Sequence, residues 1–229
     1  MYKDTIVISL GGSLIAPDDL DTTFLKKFKK TIDGFLADGR RFVLITGGGR
    51  ICRKYQDAAR KVTKLTDDDL DWLGIHATRL NAHLMRTIFR DEAHPVIITN
   101  PDEIQDTPKH ARLIVAAGYR PGASTDLRAV QIAQHIGASK LINLSNIDYV
   151  YTADPRKDKN ATPIKAIDWH DFRALLPKDW DPGLSAPFDP VAAKLAQTLK
   201  LEVAIMNGAR LGELTKYLEG KPFKGTVVR

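Results

Sequence analysis

Two short glycine clusters each follow a short apolar run, and glycine at such a junction lets backbone N–H groups approach an anion closely. Gly11, Gly12 and Ser13 follow residues 5–10, and residues 47–49, which are all glycine, follow residues 42–46. Each apolar run has the length of a buried strand, and a helical pattern starts soon after the second cluster. Either junction alone fits a phosphate site or a tight turn equally well. Because the pattern occurs twice, the sequence indicates one site that holds more than one phosphate.

Two later segments carry further polar groups that could contact a ligand. Residues 118–126 combine turn residues with hydroxyl groups, and Ser124 or Thr125 can cap a helix predicted from about Asp126 to Ile136. Ser145 and the residue after it follow another predicted strand. In parallel sheets, ligands bind beyond the carboxyl ends of the strands. All four segments can therefore converge on one cleft.

Strand and helix patterns alternate along the chain and must position these segments. The predicted strands are residues 5–10, 42–46, 95–99, 113–117, 140–144, 202–206 and 226–228. The predicted helices are residues 21–37, 51–59, 67–90, 126–136, 169–176, 190–199 and 211–218, with a hairpin-like region at 151–155 and a long loop at 177–190. This alternation predicts one domain over residues 1–229, a three-layer α/β/α sandwich around a mostly parallel sheet.

Composition narrows the class of protein. No apolar run in the 229 residues approaches the roughly 20 residues needed to span a membrane. No signal-peptide pattern precedes the first strand. We therefore expect a cytoplasmic protein with no membrane partner. The single cysteine, Cys52, excludes an internal disulfide and disfavours a cysteine metal site. The formal charge of +6 suits nucleic acid or small polyanions. The basic residues are not clustered, so no nucleic-acid partner is predicted.

Taken in order, these motifs resemble the amino acid kinase superfamily over nearly the whole chain. The resemblance is carried by residues 11–13, 47–49, 121–126, 146–148 and 150–155. Within that superfamily, Asp71-Trp72-Leu73-Gly74 followed by residues 78–82 (Thr-Arg-Leu-Asn-Ala) is most similar to uridylate kinases of the archaeal type. The resemblance implies transfer of the γ-phosphate of ATP, with Mg²⁺, to UMP to give UDP in pyrimidine biosynthesis. It also implies a homo-oligomer, commonly a hexamer.

The resemblance assigns roles to residues by their positions in these motifs. The predicted catalytic residues are Ser13, Arg53 and Asp126. The predicted UMP-binding residues are Gly48, Asp71, Tyr119, Arg120, Pro121, Gly122, Ala123, Ser124 and Thr125. The predicted ATP-binding residues are Gly12, Ser13, Gly49, Arg53, Ser145, Tyr151 and Asp154. No side chain is predicted as a metal ligand, and the acceptor and ATP halves are expected at about residues 1–117 and 118–229.

Structural roles remain open for four of these residues. Asp71 could be a solvent-facing or capping carboxylate in the first turn of its helix, and Asp126 could be a helix-start acid. Arg53 could be a surface arginine that pairs with Asp57 four residues later. Tyr151 could be a strand aromatic that packs on the sheet.

Three positions depart from the family pattern. Ser9 stands where many relatives have a lysine before the first glycine pair, which leaves open the source of positive charge. Tyr149 replaces a glycine usual after Asp148, and could reshape the ATP side. The loop at residues 177–190 is shorter and richer in proline than its usual counterpart.

Two alternative functions stay open. One is a kinase of the same fold for another small acid or monophosphate, such as acetylglutamate or isopentenyl phosphate. The other is an ATP-binding metal-oxide storage protein, for which His76 and His83, seven apart on one helix, would be the candidate oxoanion contacts.

Overall fold

The computed structural model describes residues 5–108, 110–177 and 186–229, and within them strands and helices alternate. The strands are β1 (Thr5–Leu10), β2 (Arg41–Thr46), β3 (Leu113–Ala116), β4 (Lys140–Ser145), β5 (Val150–Tyr151), β6 (Pro163–Ile164), β7 (Ala166–Ile167), β8 (Glu202–Asn207) and β9 (Thr226–Val228). The helices are α1 (Gly12–Ile15), α2 (Thr22–Ala37), α3 (Gly49–Val62), α4 (Asp67–Ile88), α5 (Thr125–Ile136), α6 (Trp169–Ala174), α7 (Pro190–Thr198) and α8 (Leu211–Leu218).

Seven of these strands form one sheet in the order β3-β2-β1-β4-β8-β9-β7. The first five run parallel, whereas β9 is antiparallel to β8 at the far edge. Leu10, the last residue of β1, is in register with Thr46 of β2 and Leu144 of β4. The carboxyl ends of three adjacent strands therefore lie at one level, which is where ligands bind in such sheets.

The sheet is covered on both faces because its strands are apolar on both. Val7 and Val43 belong to a core that includes side chains of α5, α6 and α7. Ile8 and Leu44 belong to a second core that includes side chains of α2, α4 and α8. The predicted three-layer sandwich with a mostly parallel central sheet is confirmed.

Two long helices form where their sequence patterns indicate. In α2, the residues at helical spacing are buried, from Phe24 to Leu36, and Asp21 caps the helix by accepting a hydrogen bond from the Phe24 N–H at 2.9 Å. In α4, Thr66 and Asp69 form a reciprocal capping box. Each cap satisfies N–H groups that lack a partner within the helix.

One predicted strand is wrong. Within residues 95–99, Ile98 makes a single bridge to β3, and a second isolated bridge to β3 is made by the earlier Ala93. Pro95 has no N–H to donate, so a continuous ladder cannot form there. The sequence pattern also missed the short helix α1 and a 3-10 helix, Pro101–Asp106.

The region after β4 follows the prediction in part. A hairpin forms with β5 antiparallel to β6, but β6 lies at residues 163–164, well beyond the predicted hairpin-like region at 151–155. Most of the predicted loop at 177–190, residues 178–185, lies outside the described residues. Asp189 caps α7 and Pro190 opens that helix, as predicted. No helix in the described part of the chain combines the length and apolar character that crossing a membrane requires.

Candidate active site

The two glycine clusters are in backbone-to-backbone contact at the ends of β1 and β2. A Cβ atom on Gly12 would lie 2.3 Å from the Gly49 nitrogen and 2.4 Å from the Gly47 oxygen. Gly49 has a φ of +66°, and a Cβ atom there would lie 2.3 Å from the Gly12 carbonyl carbon. No side chain fits at either position. The close contact joins the two predicted phosphate loops into one surface.

This surface is fixed to the sheet and to α4. The Gly11 N–H donates to the Leu144 oxygen at 2.9 Å, and the Gly47 N–H donates to the Leu10 oxygen at 2.9 Å. Asn81 Nδ2, on α4, donates to the Gly47 oxygen at 2.7 Å. The Asn81 amide therefore offsets the partial negative charge that the Gly47 carbonyl oxygen would otherwise present next to the loops.

The first turn of α3 begins directly at the second glycine cluster. Its N-cap is Gly48, which has no side chain to accept a hydrogen bond, and the first turn contains no acidic residue. The initial N–H groups of a helix lack partners within the helix, and the helix dipole makes this end favourable for an anion. The start of α3 can therefore bind a phosphate.

One turn into α3, Arg53 is exposed and makes no ion pair with the described residues. The alternative pairing with Asp57 is not formed, because Asp57 pairs with Arg60 at 3.0 Å. Arg50, also on α3, is engaged by Asp18 at 2.9 Å. Arg53 is thus the α3 arginine in this region whose guanidinium is available to a ligand.

The predicted acceptor loop, residues 119–125, and the preceding Gly118 are held by side chains of α4. Asp71 Oδ2 accepts a hydrogen bond from the Gly122 N–H at 2.7 Å. Arg79 donates through Nε to the Gly118 oxygen at 3.1 Å and through Nη2 to the Tyr119 oxygen at 2.9 Å. Asp71 is therefore not an isolated surface carboxylate, since it fixes the far end of a loop 51 residues away in sequence.

Asp126 lies where α5 meets the carboxyl ends of β1 and β4. Its Oδ1 accepts hydrogen bonds from Ser9 Oγ and Asn143 Nδ2, each at 3.0 Å. Burial raises the pKa of Asp126 from its ordinary value to about 6, and the nearby Asp189 charge contributes, although the hydrogen bonds oppose the rise. Both side-chain donors are neutral, and no lysine or arginine among the described residues forms an ion pair with this carboxylate.

Ser124 links the start of α5 to the start of α7. Its hydroxyl accepts a hydrogen bond from the Leu127 N–H at 3.1 Å, which confirms the predicted cap. The same hydroxyl donates to Asp189 Oδ2. Asp189 is buried and its Oδ1 accepts from the N–H groups of Val191 and Ala192. The two helices therefore meet at this edge of the sheet.

The other three predicted ATP-binding residues, Ser145, Tyr151 and Asp154, lie at the end of β4 or after it. Ser145 Oγ accepts from the Ile147 N–H at 3.4 Å. Asp154 accepts from Arg156 Nε and Nη2, both at 3.0 Å, and hydrogen bonds from Arg156 lower the pKa of Asp154. Both carboxylate oxygens of Asp154 therefore already accept hydrogen bonds from Arg156 and are not free to bind a ligand in this structure.

Tyr151 and Tyr149 pack against each other on this side. Their ring centres are 6.4 Å apart and the planes are nearly perpendicular, at 87°. Both residues are half-buried. The side chain that replaces the usual glycine therefore contacts the predicted ATP-binding tyrosine directly.

Comparison with known proteins identifies the family. The sequence model described as "Amino acid kinase family" matches residues 4–207. The chain belongs to the amino acid kinase family. This amino acid kinase is 32% identical over 209 residues to the uridylate kinase of Hyperthermus butylicus, with 91% of each chain covered. It is 31% identical over 224 residues to the uridylate kinase of Methanocorpusculum labreanum, which covers 97% of this chain and 94% of that relative.

Solved structures agree with this assignment. The uridylate kinase of Archaeoglobus fulgidus has a TM-score of 0.82 and 28% identity, covering 98% of this kinase and 99% of that chain. The UMP kinase of Bacillus anthracis has a TM-score of 0.81 at 17% identity, covering 99% and 96%, and supports the fold alone. The resemblance seen in the sequence motifs is therefore confirmed at the level of family and fold.

Several side chains that shape the site of this amino acid kinase were not predicted for it. Arg79 and Asn81 belong to a motif that marked the resemblance, but no role was assigned to either. Asn143 is a polar residue inside an apolar strand, which is a signal that could have been used. Arg128 and Asp189 gave no such signal, since an arginine in a helix and an aspartate before a proline are ordinary.

Proposed function

We propose that this amino acid kinase transfers the γ-phosphate of ATP to UMP to give UDP. Relatives that are 31–32% identical over most of the chain are named uridylate kinases, which supports both the acceptor and the donor. The structural observation that carries the proposal is the hydrogen bond from the Gly122 N–H to Asp71 at 2.7 Å. It joins the α4 segment most similar to archaeal uridylate kinases to the loop that the resemblance predicts will bind UMP, at the carboxyl edge of the sheet.

In-line phosphoryl transfer needs two polyanions held end to end, with charge on the transferred group neutralised. In the proposed mechanism, backbone N–H groups of the joined glycine loops bind phosphate oxygens. Gly48 serves the UMP side, whereas Gly12, Ser13 and Gly49 serve the ATP side. Such donors act most strongly when they are fixed before the substrates bind. The backbone contact between Gly12 and Gly49 supports this, because it packs the two loops directly against each other.

Side chains would supply the remaining interactions. Arg53 would bind phosphate oxygens, since it has no carboxylate partner among the described residues. Asp126 would organise the strand ends through Ser9 and Asn143. UMP would lie against the loop of residues 119–125, with Asp71 offering the carboxylate oxygen that Gly122 does not use. No nucleophilic side chain is needed, because the acceptor phosphate itself attacks.

The ATP half is proposed to extend from about residue 118 to residue 229, with Ser145, Tyr151 and Asp154 near the nucleotide. Tyr151 supports this with a half-buried ring at the edge of the fold. Asp154 would have to exchange its ion pair with Arg156 to contact ATP.

Magnesium fits the donor set as an ion carried by the nucleotide. Mg²⁺ in kinases is held chiefly by phosphate oxygens and water, with one or two protein carboxylates. Asp126 is the carboxylate at this edge that would approach it, while both oxygens of Asp189 accept hydrogen bonds. The ion would neutralise charge between the β- and γ-phosphates.

We further propose a cytoplasmic homo-oligomer, with a hexamer as the form expected from the family resemblance. ATP and UMP are cytoplasmic metabolites, which supports the location. Support for the assembly comes from α3, which has no buried residue. The apolar side chains of Tyr55 and Val62 on this helix are 58% and 87% exposed. A second copy could cover these apolar side chains. Light scattering after size exclusion would give the mass in solution.

The experiment that tests the function measures ADP release and product identity with ATP, Mg²⁺ and a panel of acceptors. We expect UMP to be converted to UDP, with slower or no turnover of CMP, acetylglutamate and isopentenyl phosphate. Turnover of another acceptor at the rate of UMP, or none with UMP, would contradict the proposal. Measuring the metal content of the purified protein tests the alternative function of metal-oxide storage, which no observation favours. His76 and His83 are exposed, and neither belongs to the group with metal-ligand spacing found among the described residues.

A further inference from the structure

Arg128 is the buried cation of the described residues. It lies on α5, one turn after the Ser124 cap, and only 6% of its surface is exposed. Its neighbours in the helix, Ala129 and Val130, are fully buried apolar residues. Arginine is uncommon at a buried position, because charged side chains are rarely buried unless they are paired.

Each contact of the Arg128 guanidinium can be named. Nη2 donates to the Arg120 oxygen at 3.1 Å, and Nη1 donates to Gln131 Oε1 at 2.9 Å. The guanidinium carbon lies 5.5 Å from the centre of the Tyr119 ring. Nε is buried and has no hydrogen-bond partner in the part of the chain that the structure describes. No carboxylate of a described residue pairs with it.

This arrangement is costly for folding. Burial lowers the pKa of Arg128, and the charge of Arg120 lowers it further. Arg120 lies over the same Tyr119 ring, also at 5.5 Å, so two positive charges share one aromatic side chain. A buried charge without a counter-ion opposes folding, and an apolar side chain of similar volume usually does not. Packing alone does not account for arginine at this position.

The contacts of Arg128 continue those that α4 makes to the same loop. Arg79 donates hydrogen bonds to the carbonyl oxygens of Gly118 and Tyr119, and Arg128 donates one to the carbonyl oxygen of Arg120. Three successive carbonyl oxygens are thus bound by two guanidinium groups. Asp71 then binds the Gly122 N–H. Carbonyl oxygens left free would repel an anionic acceptor, whereas bound to arginine they carry no uncompensated negative charge.

We infer that Arg128 is a positioning residue for the acceptor loop: from the side of α5, it fixes Tyr119 and Arg120 in the conformation that receives the acceptor. A loop held before binding loses less conformational entropy when the substrate arrives. The inference rests on the proposed role of residues 119–125 in binding UMP. Arg128 does not have to touch the substrate, since it is buried and acts through its contacts with Arg120 and Tyr119.

The test compares Arg128→Met with a matched control, Arg40→Met. Arg40 makes the same two kinds of contact, a 2.6 Å hydrogen bond to the Leu218 oxygen and a 4.9 Å approach to the Phe35 ring. It precedes β2, at the end of the sheet away from the loop. We expect Arg128→Met to raise the KM for UMP about tenfold, with kcat and the KM for ATP changed less than about twofold. Arg128→Lys should recover part of the loss, and Arg40→Met should leave all three constants unchanged.

Hydrogen exchange of the substrate-free proteins tests the same inference without activity. Arg128→Met should increase exchange at residues 118–122, and Arg40→Met should not. Equal effects on both substrates, equal effects of the two variants, or unchanged exchange at the loop would overturn the inference. If Arg128→Met does not fold, Arg128→Lys is measured in both assays and the same criteria apply. If the wild-type protein does not phosphorylate UMP, the proposed function fails, and the exchange experiment alone decides the role of Arg128.

Discussion

Ser9 Oγ donates a hydrogen bond to Asp126 Oδ1 at 3.0 Å, across 117 residues of sequence. The contact joins the end of β1 to the first turn of α5, and Ser9 is the position at which the family resemblance leads us to expect a lysine. A hydroxyl satisfies one lone pair of the carboxylate but brings no positive charge. Asp126 is therefore a partly desolvated acid with neutral side-chain donors, and its pKa is raised to about 6.

This raised pKa predicts a pH-dependent contribution to stability. Because the carboxyl binds its proton more tightly in the folded than in the unfolded protein, its contribution is fully present below about pH 4 and is lost as the pH rises through 6. Asp126→Asn, which does not titrate, should lack this dependence. The unfolding free energy of the wild type, relative to Asp126→Asn, should fall by up to about 3 kcal/mol between pH 4 and pH 7. Urea denaturation over that range measures it.

Asp57→Asn is the matched control for the pH experiment, because Asp57 is exposed on α3. Its stability relative to the wild type should vary little over the same range. A difference between the wild type and Asp126→Asn that stays flat with pH would mean that Asp126 titrates as an ordinary surface carboxylate.

The sequence predicted the elements well where local patterns determine them. The bounds of β1, α8 and β9 agree with the structure, because an apolar run or a helical period between turn residues specifies each one. The prediction failed at residues 95–99, where apolar side chains suggest a strand but Pro95 prevents the ladder. Only Ile98 of this segment is buried, and Val96 is 58% exposed, so the apolar pattern there indicates neither a strand ladder nor a buried segment.

Contacts within the site were less predictable, because they join residues that are far apart in sequence. Nothing near Asp71 indicates that its partner is the Gly122 N–H. Nothing near Arg128 indicates that it is buried, since its charge suggests exposure. The roles assigned to Arg53, Tyr151 and Asp154 depend on ligands and stay predictions.

Replacing Asp71 should weaken acceptor binding selectively. Asp71→Ala removes both the hydrogen bond to the Gly122 N–H and the carboxylate proposed to contact UMP. Losing such an interaction costs about 1–3 kcal/mol, so the KM for UMP should rise about tenfold or more, while the KM for ATP stays near its wild-type value. Steady-state kinetics with each substrate varied in turn give both constants.

Asp68→Ala serves as the control for Asp71→Ala, since Asp68 is an exposed acid in the first turn of the same helix. It should leave both KM values unchanged. If Asp71→Ala changes the two constants equally, then Asp71 supports the fold of the loop and not the acceptor.

Gly12 should not tolerate a side chain. A methyl group there would overlap the backbone of Gly47 and Gly49, which cannot withdraw as a flexible side chain could. We expect Gly12→Ala to lower the unfolding free energy by about 1–3 kcal/mol and to abolish most activity.

Gly34→Ala is the matched control, because a Cβ atom at Gly34 meets nothing within 4 Å. In the interior of α2 it should raise stability by about 0.5–1 kcal/mol. Near-normal activity of Gly12→Ala would contradict close contact between the loops.

Arg53 is expected to supply the positive charge that Ser9 does not. It lies one turn past Gly49, exposed and without an ion pair among the described residues, and a guanidinium can bind phosphate oxygens through two hydrogen bonds where a lysine cannot. Arg53→Ala should lower kcat about 100-fold, equivalent to about 2.7 kcal/mol of transition-state stabilisation, and Arg53→Lys should recover only part of this loss.

Arg60→Ala is the control on the same helix, because Arg60 forms an ion pair with Asp57. Single-turnover measurements separate the chemical step from product release. If Arg53→Ala keeps a near-normal rate while Lys194→Ala loses it, the charge comes from α7, where Lys194 is also exposed.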